Sequence, residues 1–543
     1  MKHTLAASTA IVGLVVGGLA AASPAFAAPP GQPGPPPHAG PPPHAGPPPH
    51  AGPPPHAGPG ARDLQRYAAD TWESMAAMAH ANTGLPDDNI GGALEAATAS
   101  GYTSPTNIGG YLWSTVTARD LGIIDADEAR ERLTATVSTL EKMDRNAGSG
   151  MYYNWYAPDT GAKLEIFPTS GEVIHPFLST VDNGWLAAAL RIVREAEPTL
   201  ADRADALYHS MDFSAFFDSA GAANLPAGTN RGGFWEAPPG DGCAVEALMY
   251  NGSGEQAFYT CHHYDTTVSE SRIATYLGIS EGSIPASGLY GTHRTMPAGC
   301  DWAWQEQLPT GETRTYDGVD VYEGVYSYDG MSFVPSWGGS MFEALMPDLL
   351  IPETEWGPTS WAVNHPITVE IQKRHGLDEA GYGSWGFSPA SNPFGGYAEY
   401  GVDIAGMRSD GYTSDAETDV DVDRPGCSEG TNPDPTFGDG VVTPHASFLA
   451  LPYDRQGVLK NLRGLEKMGA YGPGGFYDAV AVGSGTIAER YLSLDQSMIM
   501  AAIGNALTGD SLKDYMVDDR MEQNLRPAIE QQVFGSSWGT SRR

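Results

Sequence analysis

Apolar residues recur at helical spacing along most of this chain. The first such segment spans 62–82, where Leu64, Tyr67, Trp72, Met75 and Met78 fall on one face of a helix. Similar patterns predict helices at 106–121, 125–144, 180–195, 200–217, 270–277, 339–350, 360–375, 446–450, 453–468 and 494–507. Strand-like segments are few and short, such as 150–156 and 322–328. The pattern therefore predicts one large, mainly helical domain at 61–543, with an insertion-like region at about 204–330.

Several predicted helices have recognisable starts. Asp125 precedes two further acids, Asp127 and Glu128, which suits an N-cap followed by an acidic first turn. Asn107 and Thr180 stand where caps of two other helices are expected.

The N-terminus has the features of a signal peptide. Lys2 is followed by an apolar run at 11–22 and then by Ala25-Phe26-Ala27, a small-x-small cleavage site. We expect cleavage after Ala27 and a secreted, extracellular protein. No other stretch reaches the roughly 18 uninterrupted apolar residues that a membrane span needs.

Residues 28–60 are built from Pro-, His-, Gly- and Ala-rich repeats. Proline at this density has a fixed φ and no amide donor, so a polyproline II spacer is predicted. Four histidines recur every six residues, at His38, His44, His50 and His56. A stiff rod does not converge such ligands on one metal ion.

The charge and the cysteine content of the chain indicate which partners and which covalent links to expect. The chain has 66 acids against 30 bases, a net charge of −36, which disfavours nucleic acid and anionic membranes as partners. Four cysteines in an exported chain suggest two disulfides. Three pairings are possible, and proximity favours Cys243 with Cys261 and Cys300 with Cys427.

The sequence contains no zinc-binding spacing such as Cys-x-x-Cys or His-Glu-x-x-His, so neither a metal nor another cofactor is expected. Acidic residues alternate along 413–423. They could collect Ca²⁺, but the run lacks the EF-hand pattern, and a solvated acidic loop is the preferred interpretation.

Blocks of motif residues occur along the chain in a fixed order. They include 103–112, 153–156, 179–184, Ser336-Trp-Gly-Gly-Ser-Met-Phe-Glu-Ala-Leu-Met-Pro347, 382–388, 396–401, 442–447, Tyr471-Gly-Pro-Gly-Gly-Phe-Tyr-Asp478 and Arg490-Tyr-Leu-Ser-Leu-Asp-Gln496. Together they resemble the bacterial glucoamylase-like (glycoamylase) domain, which is related to endo-β-1,2-glucanases and to the central region of cyclic β-1,2-glucan synthases.

The resemblance implies an (α/α)6 toroid and glycoside hydrolysis. The synthase-type sequences carry a Glu just after Trp-Gly-x-Ser, whereas this chain has Pro389 and Ala390 there. If that Glu is the nucleophile of retaining relatives, its absence favours an inverting hydrolase. The expected substrate is an extracellular polysaccharide or oligosaccharide such as β-1,2-glucan, and the expected state is a monomer.

Glycoside cleavage needs a proton donor and a second carboxylate. Glu343 is the predicted acid because apolar residues flank it, and an apolar setting raises a carboxyl pKa. Asp182, at the start of an apolar helix, is the predicted base, and Asp495 is its rival. A helix-start role is the alternative for both residues; for Asp182 the two interpretations are balanced, whereas for Glu343 the catalytic role is preferred. Glu399 and Asp403 are further candidates for the second carboxylate.

Aromatic residues in Gly-rich or polar contexts predict a sugar-binding platform, because flat rings pack on the apolar face of a pyranose. The predicted binding residues are Tyr153, Trp155, Trp337, Trp385, Tyr397, Glu399, His445 and Gln496, with Trp185 as a further ring. Arg272, by contrast, reads as part of a structural salt bridge.

Two alternatives remain open. A polysaccharide lyase or a transglycosylase could use the same fold, although a lyase needs a cationic cleft and this chain has few bases. A non-catalytic glycan-binding envelope protein is the other, and the absent Glu after Ser388 is compatible with it.

Overall fold

The computed structural model describes residues 59–222, 225–240, 243–295, 307–407 and 438–539. The predicted signal peptide, nearly all of the repeat segment, the acidic run at 413–423 and the second predicted cysteine pair, Cys300 and Cys427, lie outside these residues.

Helix accounts for 43% of the structure and strand for 19%, which confirms the mainly helical prediction. The helices are α1 Pro59–Met78, α2 Pro105–Asp120, α3 Ala126–Leu140, α4 Thr180–Ala196, α5 Ala201–His209, α6 Arg272–Glu281, α7 Met341–Leu345, α8 Glu353–Trp356, α9 Trp361–Arg374, α10 Pro444–Leu449, α11 Leu451–Lys467, α12 Ser493–Thr508, α13 Ser511–Met516 and α14 Asp519–Glu530. The short α8 and the last two helices were not predicted from the sequence.

The N-cap residues of three helices can be compared with the predicted ones. Asp125 caps α3 as predicted, accepting from the amides of Asp127 and Glu128. The caps of α2 and α4, however, are Ser104 and Ser179, so Asn107 and Thr180 were wrongly predicted as caps. In both helices the serine hydroxyl accepts from the amide three residues on, so Thr180 and Asn107 lie inside the helix and not at its cap.

Short strands are more numerous than predicted. They are β1 Asn89–Gly91, β2 Phe177–Ser179, β3 Phe217–Asp218, β4 Thr229–Asn230, β5 Gly233–Trp235, β6 Ala244–Leu248, β7 Gln256–Thr260, β8 Thr310–Tyr316, β9 Val319–Tyr328, β10 Met331–Phe333, β11 Ser336–Trp337, β12 Ala390–Ser391, β13 Tyr397–Ala398, β14 Gly406–Met407, β15 Val441–Val442, β16 Tyr471–Gly472, β17 Gly475–Phe476, β18 Ala479–Ala481, β19 Thr486–Ala488 and β20 Arg490–Leu492. The strand predicted at 322–328 lies within β9, whereas 150–156 forms only isolated bridges.

The largest sheet is antiparallel, with strand order β2-β5-β7-β6. Ala244 at the start of β6 pairs with Thr260 at the end of β7. The adjoining Cys243 and Cys261 form a disulfide with a Cα–Cα distance of 5.6 Å, which confirms this predicted pairing. The bond joins the ends of two neighbouring strands within the predicted insertion-like region.

The core is built where helices cross closely. Helix α2 packs against α4 and α12, α4 packs against α6, and α10 packs against α7 and α12. Two glycines permit close crossings. A Cβ on Gly109 would lie 2.9 Å from the carbonyl oxygen of Trp185 in α4, and one on Gly110 would lie 2.7 Å from Oγ of Ser497 in α12. The starts of these helices carry the acidic residues described next.

Among the helices of the described ranges, none combines the length and the apolar character needed to cross a membrane.

Candidate active site

Acidic side chains lie in or just before the first turn of several core helices. Asp182 is in the first turn of α4, Glu343 in that of α7 and Asp495 in that of α12, while Glu270 lies just before α6. These groups influence one another electrostatically: Glu343 and Asp182 act on Glu270, and Asp88 acts on Asp495. The helix starts therefore bring the three predicted catalytic carboxyls to one acidic site.

Glu343 lies in an apolar setting, as predicted. Its side chain is only 8% exposed, beside the buried side chains of Met341 and Phe342. Its backbone amide donates to Oγ of the cap residue Ser340 at 3.4 Å, and its Oε2 accepts from the backbone amide of Glu270 at 2.8 Å. Burial raises the pKa of this carboxyl to about 7, although the Glu270 amide acts in the opposite direction. At neutral pH this side chain can therefore donate a proton.

Glu270 is a site residue that the sequence analysis did not select. Its Oε2 accepts from Nε1 of Trp185 at 2.6 Å. Burial, and then the charge of Glu343, raise its pKa well above the usual value for a glutamate. Its place at the start of the predicted helix 270–277, two residues before Arg272, was the signal that could have identified it.

Arg272 fixes the geometry between α6 and α7. Its Nη1 donates to the carbonyl oxygen of Glu343 at 2.9 Å, and its Nη2 donates to that of Ala344 at 2.7 Å. Its guanidinium also pairs with the buried carboxylate of Glu353, with Nε 2.6 Å from Oε1. These contacts agree with the predicted structural role of Arg272, which holds the segment that carries Glu343.

Asp182 is accessible on one side. Its amide donates to Oγ of Ser179 at 3.2 Å, and its Oδ1 accepts from Oγ1 of Thr106 at 2.6 Å. The residue is half-buried, unlike Glu343. One carboxylate oxygen is thus oriented by a hydroxyl, and the residue remains open to solvent.

Asp88 extends the acidic site toward α12 and was also missed. Its two oxygens accept from the side-chain amides of Asn107 and Asn89, each at 2.8 Å. Burial raises the pKa of Asp88, and the charge of Asp182 adds to this increase. Asp88 follows no apolar periodicity, so its role is visible only once Asn107 on α2 is placed beside it.

Asp495 is enclosed more completely than Asp182. It is 3% exposed, and its Oδ2 lies 3.3 Å from Nδ1 of His445, which is 1% exposed. Burial, followed by the charge of Asp478, raises the pKa of Asp495 well above its usual value. The neighbouring Gln496 is 1% exposed and donates from Nε2 to the carbonyl oxygen of Phe476 at 3.1 Å. The closing motifs of the sequence therefore meet in one buried cluster.

Glu399 and Tyr397 come from the β13 region and border the same site. Loss of solvent raises the pKa of Glu399 to about 7, and its charge in turn acts on Glu343. Tyr397 is 52% exposed, yet surrounding protein first, and then the charges of Asp495 and Glu399, raise the pKa of its phenol well above the usual value. Tyr397 therefore presents an exposed ring at the border of the acidic site, next to the half-buried Glu399. The side chain of Asp403 lies outside the described residues.

Some of the aromatic rings predicted to bind sugar are partly exposed in the structure, and others are buried. Trp155 and Trp337 are half-buried, and Trp155 contacts the rings of Tyr102 and Phe167 at 5.3 and 5.5 Å between centroids. These rings retain surface that a ligand could contact. Tyr102 also interacts with Asp88, which places this aromatic group beside the acids.

Three of the predicted rings are enclosed by protein. Tyr153 is 5% exposed, Trp385 is 2% exposed and Trp185 is fully buried, so core packing accounts for their surfaces. The expectation that Trp185 presents a face to sugar is corrected by its hydrogen bond to Glu270, which gives it an orienting role.

Two family models match the chain. Residues 309–519 match the Glycoamylase model, described as "Putative glucoamylase", and residues 66–223 match a model described as a protein of unknown function, DUF3131. Glu343, His445, Asp478 and Asp495 lie in the first match, and Asp88 and Asp182 lie in the second. The resemblance to the glucoamylase-like family that the motifs indicated is confirmed.

A curated relative and several solved structures are also similar. The chain is 23% identical to cyclic β-(1,2)-glucan synthase NdvB of Rhizobium meliloti over 84% of its own length, but spans only 18% of that synthase. It matches an endo-β-1,2-glucanase from Chitinophaga pinensis, in complex with sophorotriose and glucose, with a TM-score of 0.57 and 18% identity, covering 86% of this chain and 98% of that one. An endo-β-1,2-glucanase from Talaromyces funiculosus, in complex with sophorose, matches with a TM-score of 0.56 and 11% identity over 88% and 90% of the two chains. At these identities the two structures establish the fold.

Proposed function

We propose that this protein is a glycoside hydrolase that cleaves β-1,2-glucan, from the similarity of residues 309–519 to the Glycoamylase family and from the acidic site at the helix starts. The similarity to NdvB and the glucan-active proteins among the structural neighbours support the choice of substrate class. The observation that carries the proposal is the environment of Glu343. It is a buried carboxyl with a pKa of about 7, and it shares the acidic site with the half-buried Asp182.

In the proposed reaction, Glu343 is the general acid and Asp182 the general base. Glu343 gives its proton to the glycosidic oxygen as the bond between that oxygen and the anomeric carbon breaks. Asp182 accepts a proton from the water whose oxygen bonds to the anomeric carbon on the opposite face. The products are two shorter chains, one of them with a new reducing end of inverted configuration.

Exposure favours Asp182 over Asp495 as the base. A general base must reach the water it activates. Asp182 is half-buried and keeps an oxygen free of the Thr106 hydrogen bond, whereas Asp495 is 3% exposed and turned toward His445. Asp495 also has a raised pKa, and a protonated carboxyl cannot accept a proton.

The charge of the site favours a neutral glycan over a uronate. Asp88, Asp182, Glu270, Glu343 and Glu399 border it, while the neighbouring Arg272 is committed to Glu353. A lyase must neutralise the carboxylate of a uronic acid, and an acidic site repels that group. The lyase alternative is therefore disfavoured.

The finer architecture belongs to this proposal as well. We take α2, α4, α6, α7, α10 and α12 as the inner helices of an (α/α)6 toroid whose helix starts surround the substrate. The proposal also places the protein outside the cell, with the 28–60 segment as a spacer after a signal peptide cleaved at Ala27. The disulfide between Cys243 and Cys261 supports an oxidising compartment.

The test is reducing-end release from a panel of neutral glycans, with β-1,2-glucan included, by the full chain and two variants. Glu343→Gln removes the acid but retains the side-chain shape, and a loss of about 10²-fold or more is expected. Glu131→Gln, at an exposed position on α3, is the matched control and should retain full activity. Glycan binding with no release by the unmodified chain would instead support a binding protein, and equal release by the Glu343 variant would remove this residue from the chemistry.

A further inference from the structure

A second cluster of titratable side chains adjoins the acidic site and includes Asp495. His445 at the start of α10, Asp478 between β17 and β18, and Asp495 at the start of α12 each offer one ligand atom, and these atoms lie within 4.8 Å of one another. The three residues are 1%, 1% and 3% exposed. They are far apart in the sequence, so only the fold brings them together.

Several polar atoms of this cluster are buried without a partner. Within the described part of the chain, no hydrogen-bond partner reaches either ring nitrogen of His445, and no residue outside the cluster donates to Oδ1 of Asp478 or Oδ2 of Asp495. His445 Nδ1 lies 3.3 Å from Asp495 Oδ2, but without the alignment of a hydrogen bond. The other oxygen of Asp478, Oδ2, accepts from the amide of Ser391 at 2.6 Å, which fixes the carboxylate and leaves Oδ1 for the cluster. Buried polar atoms are almost always paired, so this concentration of unpaired atoms needs an explanation.

Sugar binding does not explain these atoms, because they are fully buried and no hydroxyl group can reach them from the site. Two neighbouring buried carboxyls cannot both carry charge without a cation, and in its absence Asp478 and Asp495 share a proton through a hydrogen bond between their carboxyls. A divalent ion would replace that proton. The nearest positive influence on Asp478 is Arg490, whose guanidinium is hydrogen-bonded to Asn89. An imidazole held neutral among carboxylates is, by contrast, a normal metal ligand.

A comparable cluster elsewhere shows the difference. Asp348, Glu353 and His365 also lie within 4.8 Å of one another, and all three are buried. There, however, Arg272 supplies the positive charge, with Nε 2.6 Å from Glu353, and His365 Nε2 lies 2.9 Å from the same carboxylate. That cluster is an ion-pair network and needs no metal.

We propose that His445, Asp478 and Asp495 bind a divalent first-row metal ion such as Mn²⁺ or Zn²⁺. One imidazole and two carboxylates form a donor set that suits these ions. At bonds of roughly 2.0–2.2 Å, ligand atoms around such an ion lie about 3–4.4 Å apart, close to the 3.3 Å between His445 and Asp495. The ion joins the starts of α10 and α12 to the β17–β18 turn and so fixes the wall of the site that carries Asp495.

This site is independent of the proposed hydrolysis, and its test does not use activity. The full chain is stripped with EDTA, dialysed and titrated with Mn²⁺, and the free ion is counted by electron paramagnetic resonance. We expect about one tight site per chain, with an affinity that falls as pH is lowered because protons compete for the ligands. Thermal unfolding should shift to higher temperature by a few degrees on adding Mn²⁺.

The variant Asp478→Asn isolates the site from other metal-binding groups. The four histidines of the 28–60 segment and the acidic run at 413–423 are present in both proteins and cancel in the comparison. The amide oxygen that this substitution introduces can still accept from the Ser391 amide, and far-ultraviolet circular dichroism checks that the variant folds. The tight site should be lost in this variant and retained in Glu131→Gln. Equal Mn²⁺ binding by Asp478→Asn and the unmodified chain, or the absence of any tight Mn²⁺ or Zn²⁺ site in the unmodified chain, would overturn the proposal.

Discussion

The replacement Glu343→Gln should stabilise the protein at alkaline pH while it abolishes catalysis. Burial raises the pKa of Glu343 from 4.5 to about 7. The folded state therefore binds more protons than the unfolded state between these values, and the contribution of this group to stability is lost as pH rises through about 7. At ~1.36 kcal/mol per pKa unit, holding Glu343 ionised at pH 8 costs on the order of 3 kcal/mol.

Glutamine removes this cost with little change in shape. Its side-chain carbonyl can still accept from the Glu270 amide, which donates to Glu343 Oε2 at 2.8 Å. Unfolding entropy of about 2.1 cal/mol/K per residue over roughly 480 residues gives ~1 kcal/mol per degree. The variant should therefore unfold about 3 °C above the unmodified chain at pH 8 and at nearly the same temperature at pH 5.

The assay is thermal unfolding followed by circular dichroism at several pH values, and only the pH-dependent part of the difference is interpreted. Glu131→Gln serves as the exposed control and should give a flat difference. A Glu343→Gln difference that does not change between pH 5 and 8, or that changes with the opposite sign, would refute the argument that Glu343 is held protonated.

Three further predictions concern the site and its support. The kcat/KM of glucan hydrolysis should fall about tenfold per pH unit above pH 7, because Glu343 must be protonated to act; a profile flat to pH 9 would contradict this. Asp182→Asn should lose about 10²-fold or more in kcat with an unchanged unfolding temperature, and an activity close to that of the unmodified chain would exclude Asp182 as the base. Arg272→Met should destabilise the fold by about 3–5 kcal/mol in urea unfolding, because it removes the guanidinium that neutralises the buried Glu353 charge and leaves only the imidazole of His365 beside it. Adding Glu353→Gln should recover part of that loss, and a cost below about 1 kcal/mol would show that the pair does not support α7.

Sequence periodicity predicted the long helices well because their apolar faces are continuous. Helices α2, α4, α9 and α12 begin and end within one or two residues of the predicted 106–121, 180–195, 360–375 and 494–507. The predicted helix at 339–350 was too long: Met341–Leu345 is followed by a tighter turn that begins at Pro347. Proline has no amide donor, so the α-helical hydrogen bond that this position would donate is missing.

The site was predicted only where a motif marked it. Glu343, Asp182 and Asp495 were selected because each opens an apolar helix, and the structure brings all three to one site. Asp88, which precedes β1, was missed because its importance depends on the side-chain amide of Asn107, which reaches it from α2 at 2.8 Å. Distances between segments of this kind are set by tertiary packing and leave no local pattern.

Tertiary packing also decides which rings are exposed and which residues form the cluster of His445, Asp478 and Asp495. Trp385 shares the Gly-rich context of Trp337, but only the fold shows that Trp385 is 2% exposed. His445 and Asp495 were selected as separate residues. Their common cluster with Asp478 required the helix starts and the β17–β18 turn to be placed together.

The most direct test of the account is proton nuclear magnetic resonance of β-1,2-glucan during hydrolysis by the full chain. An acid and a base that act on opposite faces of the sugar predict that the α-anomer of the new reducing end appears first and then equilibrates with the β-anomer. Initial release of the β-anomer would contradict the assigned roles of Glu343 and Asp182, and no new reducing end under conditions where the glucan binds would contradict the proposed hydrolysis itself.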